Sequence, residues 1–442
     1  MDTAQTVRTM SPKLVKVVER AKRDPRTQFT SLAHLLGEEA LKRAYGRIRK
    51  NAAVGIDGIT KGAYGEALDE NIGDLHRRLK SMKYRHQSIR RVHIPKEPGK
   101  TRPIGISCIE DKIVQGAIAE LLEVVYEPMF LTCSYGFRRK RSAHDALRAV
   151  NRMAFHEGIG WILEADIQAF FDSLSRPKLR RILQKRVVDG SLLRLIAKCL
   201  HVGILDGEEY SKPDEGTVQG SSLSPLLGNV YMHHVLDQWF EYEVKPQLAG
   251  HARLIRYCDD FVIGFVHRKD AERVLRMLHD RMSAYGLTLH PGKTRLIPFH
   301  RPKWDRNQRK GPGTFDFLGF TVFWQRARRG GWKLGMKTRK ARLRRALKAL
   351  NVWCRRQMHQ PLKEQHASLS RRIIGHYNYF GVNGNIRALR YLLHRAERIW
   401  LRHLRRRSQR ARCLTWEKYK RYLKRFPLPR PRIRVQIWSW VP

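Results

Sequence analysis

Arg253-Leu254-Ile255-Arg256-Tyr257-Cys258-Asp259-Asp260-Phe261-Val262-Ile263-Gly264-Phe265 reads as two apolar arms around an acidic centre. The pattern predicts a β-hairpin with Cys258-Asp259-Asp260 at its tip. Trp161-Ile162-Leu163 is a second strand-like run, and it leads into another acid, Asp166. Carboxylates beside buried apolar segments are costly unless paired or metal-bound. Three that converge suit two Mg²⁺ ions about 3.5–4 Å apart, which activate an attacking hydroxyl and stabilise a leaving pyrophosphate oxygen. Mg²⁺ prefers oxygen ligands and keeps positions open for phosphates. An Asp-Asp dipeptide alone is more often a turn or helix cap, so the rest of the chain decides.

Outward from this centre the elements alternate. Residues 1–50 read as helices, with Leu14, Val15, Val17 and Val18 and then Leu32, Leu35 and Leu36 between basic residues. Arg90 to Pro95 and Thr101 to Ile106 read as partner strands around the turn Glu97-Pro98-Gly99-Lys100. Ile113, Val114, Ile118, Leu121, Leu122 and Val125 carry a 3.6-residue period, predicting a helix over 109–127. Ser224 to Tyr242 reads as a helix opened by Ser-Pro. Phe315 to Trp324 reads as one strand and Gly330-Gly331 as a turn.

The charge narrows the function classes. Among 442 residues, 88 Lys and Arg face 40 Asp and Glu, a net +48. Small-molecule chemistry needs no such excess, and a compact body carrying it repels itself until a polyanion screens it. The 10 Trp, 16 Phe and 15 Tyr argue for folded cores rather than disorder. No apolar run approaches the roughly 18 residues of a membrane span. The six cysteines form no C-x-x-C pair, so neither a zinc ribbon nor a disulfide framework is indicated. Residues 337–442 hold 30 Lys and Arg against Glu364, Glu397 and Glu417, a net +27, with Trp353, Trp400, Trp416, Trp438 and Trp440 interleaved. A solvated charged face would mix signs. This one predicts nucleic-acid contact.

Several strings together resemble a known family. Tyr257-Cys258-Asp259-Asp260 is similar to the Y-x-D-D box of reverse transcriptases, and Ala165-Asp166-Ile167-Gln168-Ala169-Phe170-Phe171-Asp172 to their first catalytic motif. Gly216-Thr217-Val218-Gln219-Gly220-Ser221-Ser222-Leu223-Ser224-Pro225-Leu226-Leu227 resembles their nucleotide-cradling motif. Pro95-Lys96 with Thr101-Arg102-Pro103-Ile104-Gly105-Ile106 is similar to the fingers hairpin. Ser134-Tyr135-Gly136-Phe137-Arg138 with His144-Asp145-Ala146 resembles the segment that follows it. Gly286-Leu287-Thr288-Leu289, Lys293-Thr294 and Phe317-Leu318-Gly319-Phe320 resemble later palm motifs, including a primer grip. Across about residues 45–435 the chain most resembles the reverse transcriptase/maturase proteins of bacterial group II introns.

The resemblance implies an α+β right-hand polymerase: fingers and palm of antiparallel sheet plus helices, and an all-helical thumb or maturase domain X. Residues 1–50 would be a helical extension, 51–160 the fingers, 161–336 the palm and 337–442 the thumb. It implies RNA-directed DNA synthesis coupled to intron splicing and retrohoming, with group II intron RNA, a DNA target or primer and dNTPs as partners. It leaves room for a homodimer, and places the protein in the bacterial cytoplasm at the nucleoid. Asp166, Asp259 and Asp260 would be catalytic and, with Ile167, would hold two Mg²⁺. Lys96, Arg102, Ile167, Phe171, Gln219, Gly220 and Lys293 would bind the incoming dNTP. Phe171 would occupy the family's sugar-selecting position or else pack as a core phenylalanine, and Lys293 is a candidate proton donor to pyrophosphate, or a structural lysine.

Ile373-Ile374-Gly375-His376-Tyr377-Asn378-Tyr379-Phe380 and the Arg387–Arg407 stretch resemble domain X. There Arg395, Arg398, Arg402 and Arg405 are the expected RNA contacts, and Tyr377, Tyr379 and Trp400 either stack on bases or pack in a core. Many relatives carry an H-N-H endonuclease domain that these 442 residues lack, so the expectation is priming from a nascent strand or another nick. Cys258 stands where alanine is common, a small change. Two rival readings share these motifs: a domesticated reverse transcriptase serving defence or repair, and a splicing maturase with an idle polymerase.

Overall fold

The computed structural model describes residues 11–97, 100–206, 209–211, 215–217, 220–303, 311–327 and 330–438. It is a mixed α+β fold. In chain order its strands are β1 (Ile89–Glu97), β2 (Lys100–Ile106), β3 (Trp161–Asp166), β4 (Ile204–Asp206), β5 (Glu209–Ser211) and β6 (Ala252–Tyr257). There follow β7 (Asp260–Phe265), β8 (Arg295–Pro298), β9 (Thr314–Phe317), β10 (Phe320–Arg326) and β11 (Trp332–Thr338). They form three sheets, ordered β2-β1-β4-β5, β6-β7-β3-β8 and β11-β10-β9.

The sheet β6-β7-β3-β8 is the centre. Its strands pair antiparallel, and successive side chains on each strand enter different cores. Leu163, Ala165, Leu254, Phe261, Ile263 and Phe265 join one core with the helices Ile109–Tyr126 and Arg268–Ala284. Ile162, Ile255 and Val262 face the other, with the helix Ala143–His156 and the sheet β11-β10-β9. Burial on both faces explains why these strands read as near-continuous apolar runs rather than alternating ones. At the β3–β7 end the register places Asp166 opposite Asp260, and Tyr257 opposite Asp260 from the other side.

Near the amino terminus, helices Pro12–Arg23 and Glu38–Arg47 pack into the first core. Ser11 caps the first, and Arg47 of the second reaches Glu120 at 2.6 Å. The helix predicted from Ser224 opens there, but at His233 its turns widen to π-helical as far as Val244. Phe315–Trp324 is not one strand. Leu318 and Gly319, at φ 51° and 80°, turn β9 into β10. Two-residue hairpins of this kind need positive φ at the turn, and the apolar residues on both sides concealed it.

Beyond β11 the chain is helical: Lys340–Arg356, Leu362–Phe380, Ile386–Leu404 and Trp416–Arg425 close on a third core. Trp400 and Tyr377 lie wholly inside it, and Trp400 Nε1 donates to Gln365 Oε1 at 3.1 Å. Of the two readings open to them, core packing therefore holds and base stacking does not. No helix among the described residues is long and apolar enough to cross a membrane.

Candidate active site

The β6–β7 turn consists of Cys258 and Asp259, and Cys258 sits at φ 61°. A non-glycine residue in that region is strained and needs support. Support comes from Arg256, which has no exposed surface. Its Nε and Nη2 fork onto both oxygens of the buried Asp237, at 2.7 and 2.5 Å. Nη1 donates to Asn229 Oδ1 and to the Cys258 carbonyl, both at 3.0 Å, and Nη2 also reaches Ser134 Oγ at 2.8 Å. Burial works against ionisation of Asp237, yet the Arg256 charge and its hydrogen bonds hold the carboxyl below its usual range. The π-widened helix brings Asp237 to this point.

A second element braces the same turn. Tyr135 N donates to Arg256 O and Arg256 N to Cys133 O, each at 2.8 Å, so the 133–135 segment lies along β6. Gly136 follows, and a Cβ there would lie 2.5 Å from Cys258 N. Only glycine fits that approach. Asn229 Nδ2 donates to its carbonyl at 2.7 Å.

On this frame the acids meet. Asp166 and Asp260 are direct cross-strand partners, a relation that puts Cβ atoms about 4.5–5.5 Å apart on one face. Burial pushes Asp260 up to about 7, and the charges of Asp259, Asp166 and Glu164 add to it, against the Leu318 N–H that donates to Oδ2 at 3.3 Å. Burial also raises Asp259; Asp166 adds to the shift and the Arg102 charge opposes it. These are carboxylates short of positive charge. The cation at hand is Lys293, whose Nζ donates to Asp166 Oδ2 at 2.6 Å. Among the described residues no three His, Cys, Asp or Glu side chains form a ready metal-binding group, so the expected gathering of the three acids is partial. Their chemistry suits a hard divalent cation all the same: oxygen donors, crowded and under-compensated.

The other expected site residues fall into place unevenly. Arg102 lies exposed on β2, opposite Ile94. Its charge reaches both Asp259 and Asp172. Lys96 sits on β1 where the register shifts between Pro95 and Glu97, and its side chain lies outside the described residues. Gln219 lies outside them too. Gly220, at φ 112°, would carry a Cβ 2.4 Å from Gly105 O, so this loop docks on β2 because it has no side chain there. Ile167 bridges to Leu289, but Gln168 N and Asp166 O make the two hydrogen bonds of that bridge, leaving the Ile167 carbonyl out of it. Phe171 is half-buried, edge-on to Phe170 at 5.1 Å, and its carbonyl accepts from Thr217 N at 2.6 Å. Arg395, Arg398, Arg402 and Arg405 line one groove on the C-terminal helices with Lys348, Arg406 and Arg412. The Arg398 guanidinium lies 5.3 Å over the Trp416 ring.

Residues 94–322, just over half of the chain, match the family described as reverse transcriptase (RNA-dependent DNA polymerase). The chain belongs to that family. It is 35% identical over 209 residues to the group II intron-encoded protein LtrA of Lactococcus lactis, covering 47% of this chain and 35% of LtrA. It is 35% identical over 207 residues to an uncharacterized 91 kDa protein in the cob intron of Schizosaccharomyces pombe, covering 47% of this chain and 25% of that protein. Protein YkfC of Escherichia coli is 31% identical over 249 residues, covering 55% of this chain and 64% of YkfC. The matches thus span between a quarter and nearly two thirds of these relatives.

The sequence offers no role for Arg256, Asp237 or Asn229, and Ser134 figures in it only within a matched string. One signal is available: Arg256 follows Leu254-Ile255, and Asp237 follows Val235-Leu236, charges beside apolar runs that demand partners. Asp237→Ala should cost about 3–5 kcal/mol, because it strands a buried guanidinium. Thermal or urea unfolding checks this, and a midpoint equal to wild type would contradict it.

Proposed function

We propose that the chain is the RNA-directed DNA polymerase and maturase of a group II intron, binding intron RNA and copying it into DNA during retrohoming. The observation that carries the reading is the cross-strand pairing of Asp166 with Asp260, beside Asp259, in a chain of the reverse transcriptase family. The intron assignment draws on the group II intron-encoded relative. On this reading residues 51–160 act as fingers, 161–336 as palm and 337–442 as thumb, behind a helical extension over 1–50.

Two Mg²⁺ held by Asp166, Asp259 and Asp260, with the Ile167 carbonyl beside them, would lower the barrier to primer 3′-hydroxyl attack and stabilise the departing pyrophosphate oxygen. The protein's own residues do the rest. Arg102, near enough to act on Asp259, forks onto the triphosphate with Lys96 across the hairpin. Gly220 keeps the loop low against β2, which leaves room for the nascent base pair beside it; Gln219, outside the described residues, is the proposed side-chain contact to that pair. Phe171 closes the space that a 2′-hydroxyl would need, which favours dNTPs. Lys293 releases Asp166 and carries a proton to the pyrophosphate. The arginine groove holds structured RNA through its phosphates.

Asp259→Ala with Asp260→Ala should reduce primer extension on an RNA template to background and leave intron-RNA affinity within about twofold of wild type, since the groove lies on the C-terminal helices and the acids on the β6–β7 hairpin. Extension that survives, or a joint loss of synthesis and binding, would contradict the roles assigned to the two acids. Replacing Arg395, Arg398, Arg402 and Arg405 together by alanine should weaken intron-RNA binding and reduce the slope of log affinity against log salt by about 3. Filter binding across a salt series measures it, and an unchanged slope would move the RNA site elsewhere.

A further inference from the structure

Phe137 is 58% exposed and sits at φ 52°. A bulky residue in the left-handed region is an outlier, and an exposed phenylalanine gains nothing from the cores, of which it joins none. Such strain persists only where the surroundings enforce it, and it clusters at functional sites.

Here the enforcement is visible on both sides. Upstream, Tyr135 is hydrogen-bonded to β6, and Gly136 is wedged against Cys258 N and held by Asn229. Downstream, the buried Arg138 grips Glu127 through Nε and Nη2, at 3.0 and 2.8 Å. Its Nη1 donates to the carbonyls of Leu131 and Ser134, at 2.8 and 2.9 Å. The backbone is fastened before and after Phe137, and the ring is held out into solvent.

What lies beside that ring decides its use. Its centroid is 6.4 Å from that of Tyr257, the planes tilted by 43°. Tyr257 opposes Asp260 and Asp260 opposes Asp166, and cross-strand partners share a face of the sheet. Phe137 therefore overhangs the face that bears two of the three acids. The Leu318 turn borders the same place, through its N–H to Asp260 and its carbonyl, which accepts from Tyr379 Oη at 2.9 Å. A fixed, flat, apolar surface at this spot matches the face of a nucleotide at the reacting end of a nucleic-acid strand, a contact that tolerates any base.

We infer that Phe137 is a positioning residue: its ring packs on the 3′-terminal nucleotide of the primer and holds that end over Asp166, Asp259 and Asp260. The inference rests on the polymerase reading above. The test uses the full chain, an RNA template and a DNA primer ending in 2-aminopurine, whose emission changes when its base is packed. Wild type should give that change. Phe137→Gly should lose it and bind the primer–template about fivefold more weakly or worse, with the KM for dNTP within about twofold of wild type. Its melting temperature should not fall, because glycine accepts φ 52° without strain. Phe137→Trp should restore the signal. If Phe137→Gly keeps wild-type signal and affinity while wild type extends primers, the inference alone falls. A drop in melting temperature with every kinetic constant moving together would mark Phe137 as structural and overturn it too. A wild type that neither binds nor extends the primer would sink the polymerase reading along with it.

Discussion

The Arg256–Asp237 ion pair lies under the acidic turn and ties together three segments distant in sequence. Both side chains are fully buried. Removing two charges from water is repaid only by good geometry and satisfied hydrogen bonds. Arg256 meets that demand with a two-oxygen fork and with contacts to Asn229, Ser134 and the Cys258 carbonyl. An apolar pair of similar volume would give comparable stability but would not fix the orientation of a strained turn. Through this pair the π-widened helix, the 133–136 segment and the β6–β7 hairpin are locked in one register, and Asp259 and Asp260 inherit their positions from it.

The acids stand against a strongly positive background. With a net charge of +48 the chain has cations to spare, yet burial still raises Asp259 and Asp260. Most of the excess serves elsewhere, above all on the helices after β11. The division of labour follows: carboxylates crowded at one sheet end, arginines spread along a separate helical groove, and Arg102 and Lys293 as the cations that bear on the acids.

The sequence announces features whose signal is local. The β6–β7 hairpin could be read because two apolar arms flank two acids, and helix Ile109–Tyr126 because its buried face recurs every 3.6 residues. Interactions between distant positions leave little trace. Asp166 and Lys293 are 127 residues apart, and Arg256 and Asp237 sit on unlike elements, so neither pairing has a spacing to recognise. The β9–β10 turn was hidden because Phe317-Leu318-Gly319-Phe320 stays apolar on both sides of the reversal. Trp400 and Tyr377 show another limit: aromatics interleaved with arginines look alike in sequence whether they face a core or a ligand. Phe137 was visible only as part of a matched string, since its exposure and its backbone conformation arise from the contacts of its neighbours.

The proposed polymerase requires Asp166, Asp259 and Asp260 to act as one site for divalent cations. Mn²⁺ binding followed by electron paramagnetic resonance tests it directly, on the full chain and on Asp166→Ala and Asp260→Ala. Wild type should bind Mn²⁺ saturably and release it to Mg²⁺, with the affinity weakened at least about tenfold by either substitution. Binding of equal affinity in all three proteins would place the cations elsewhere and contradict it.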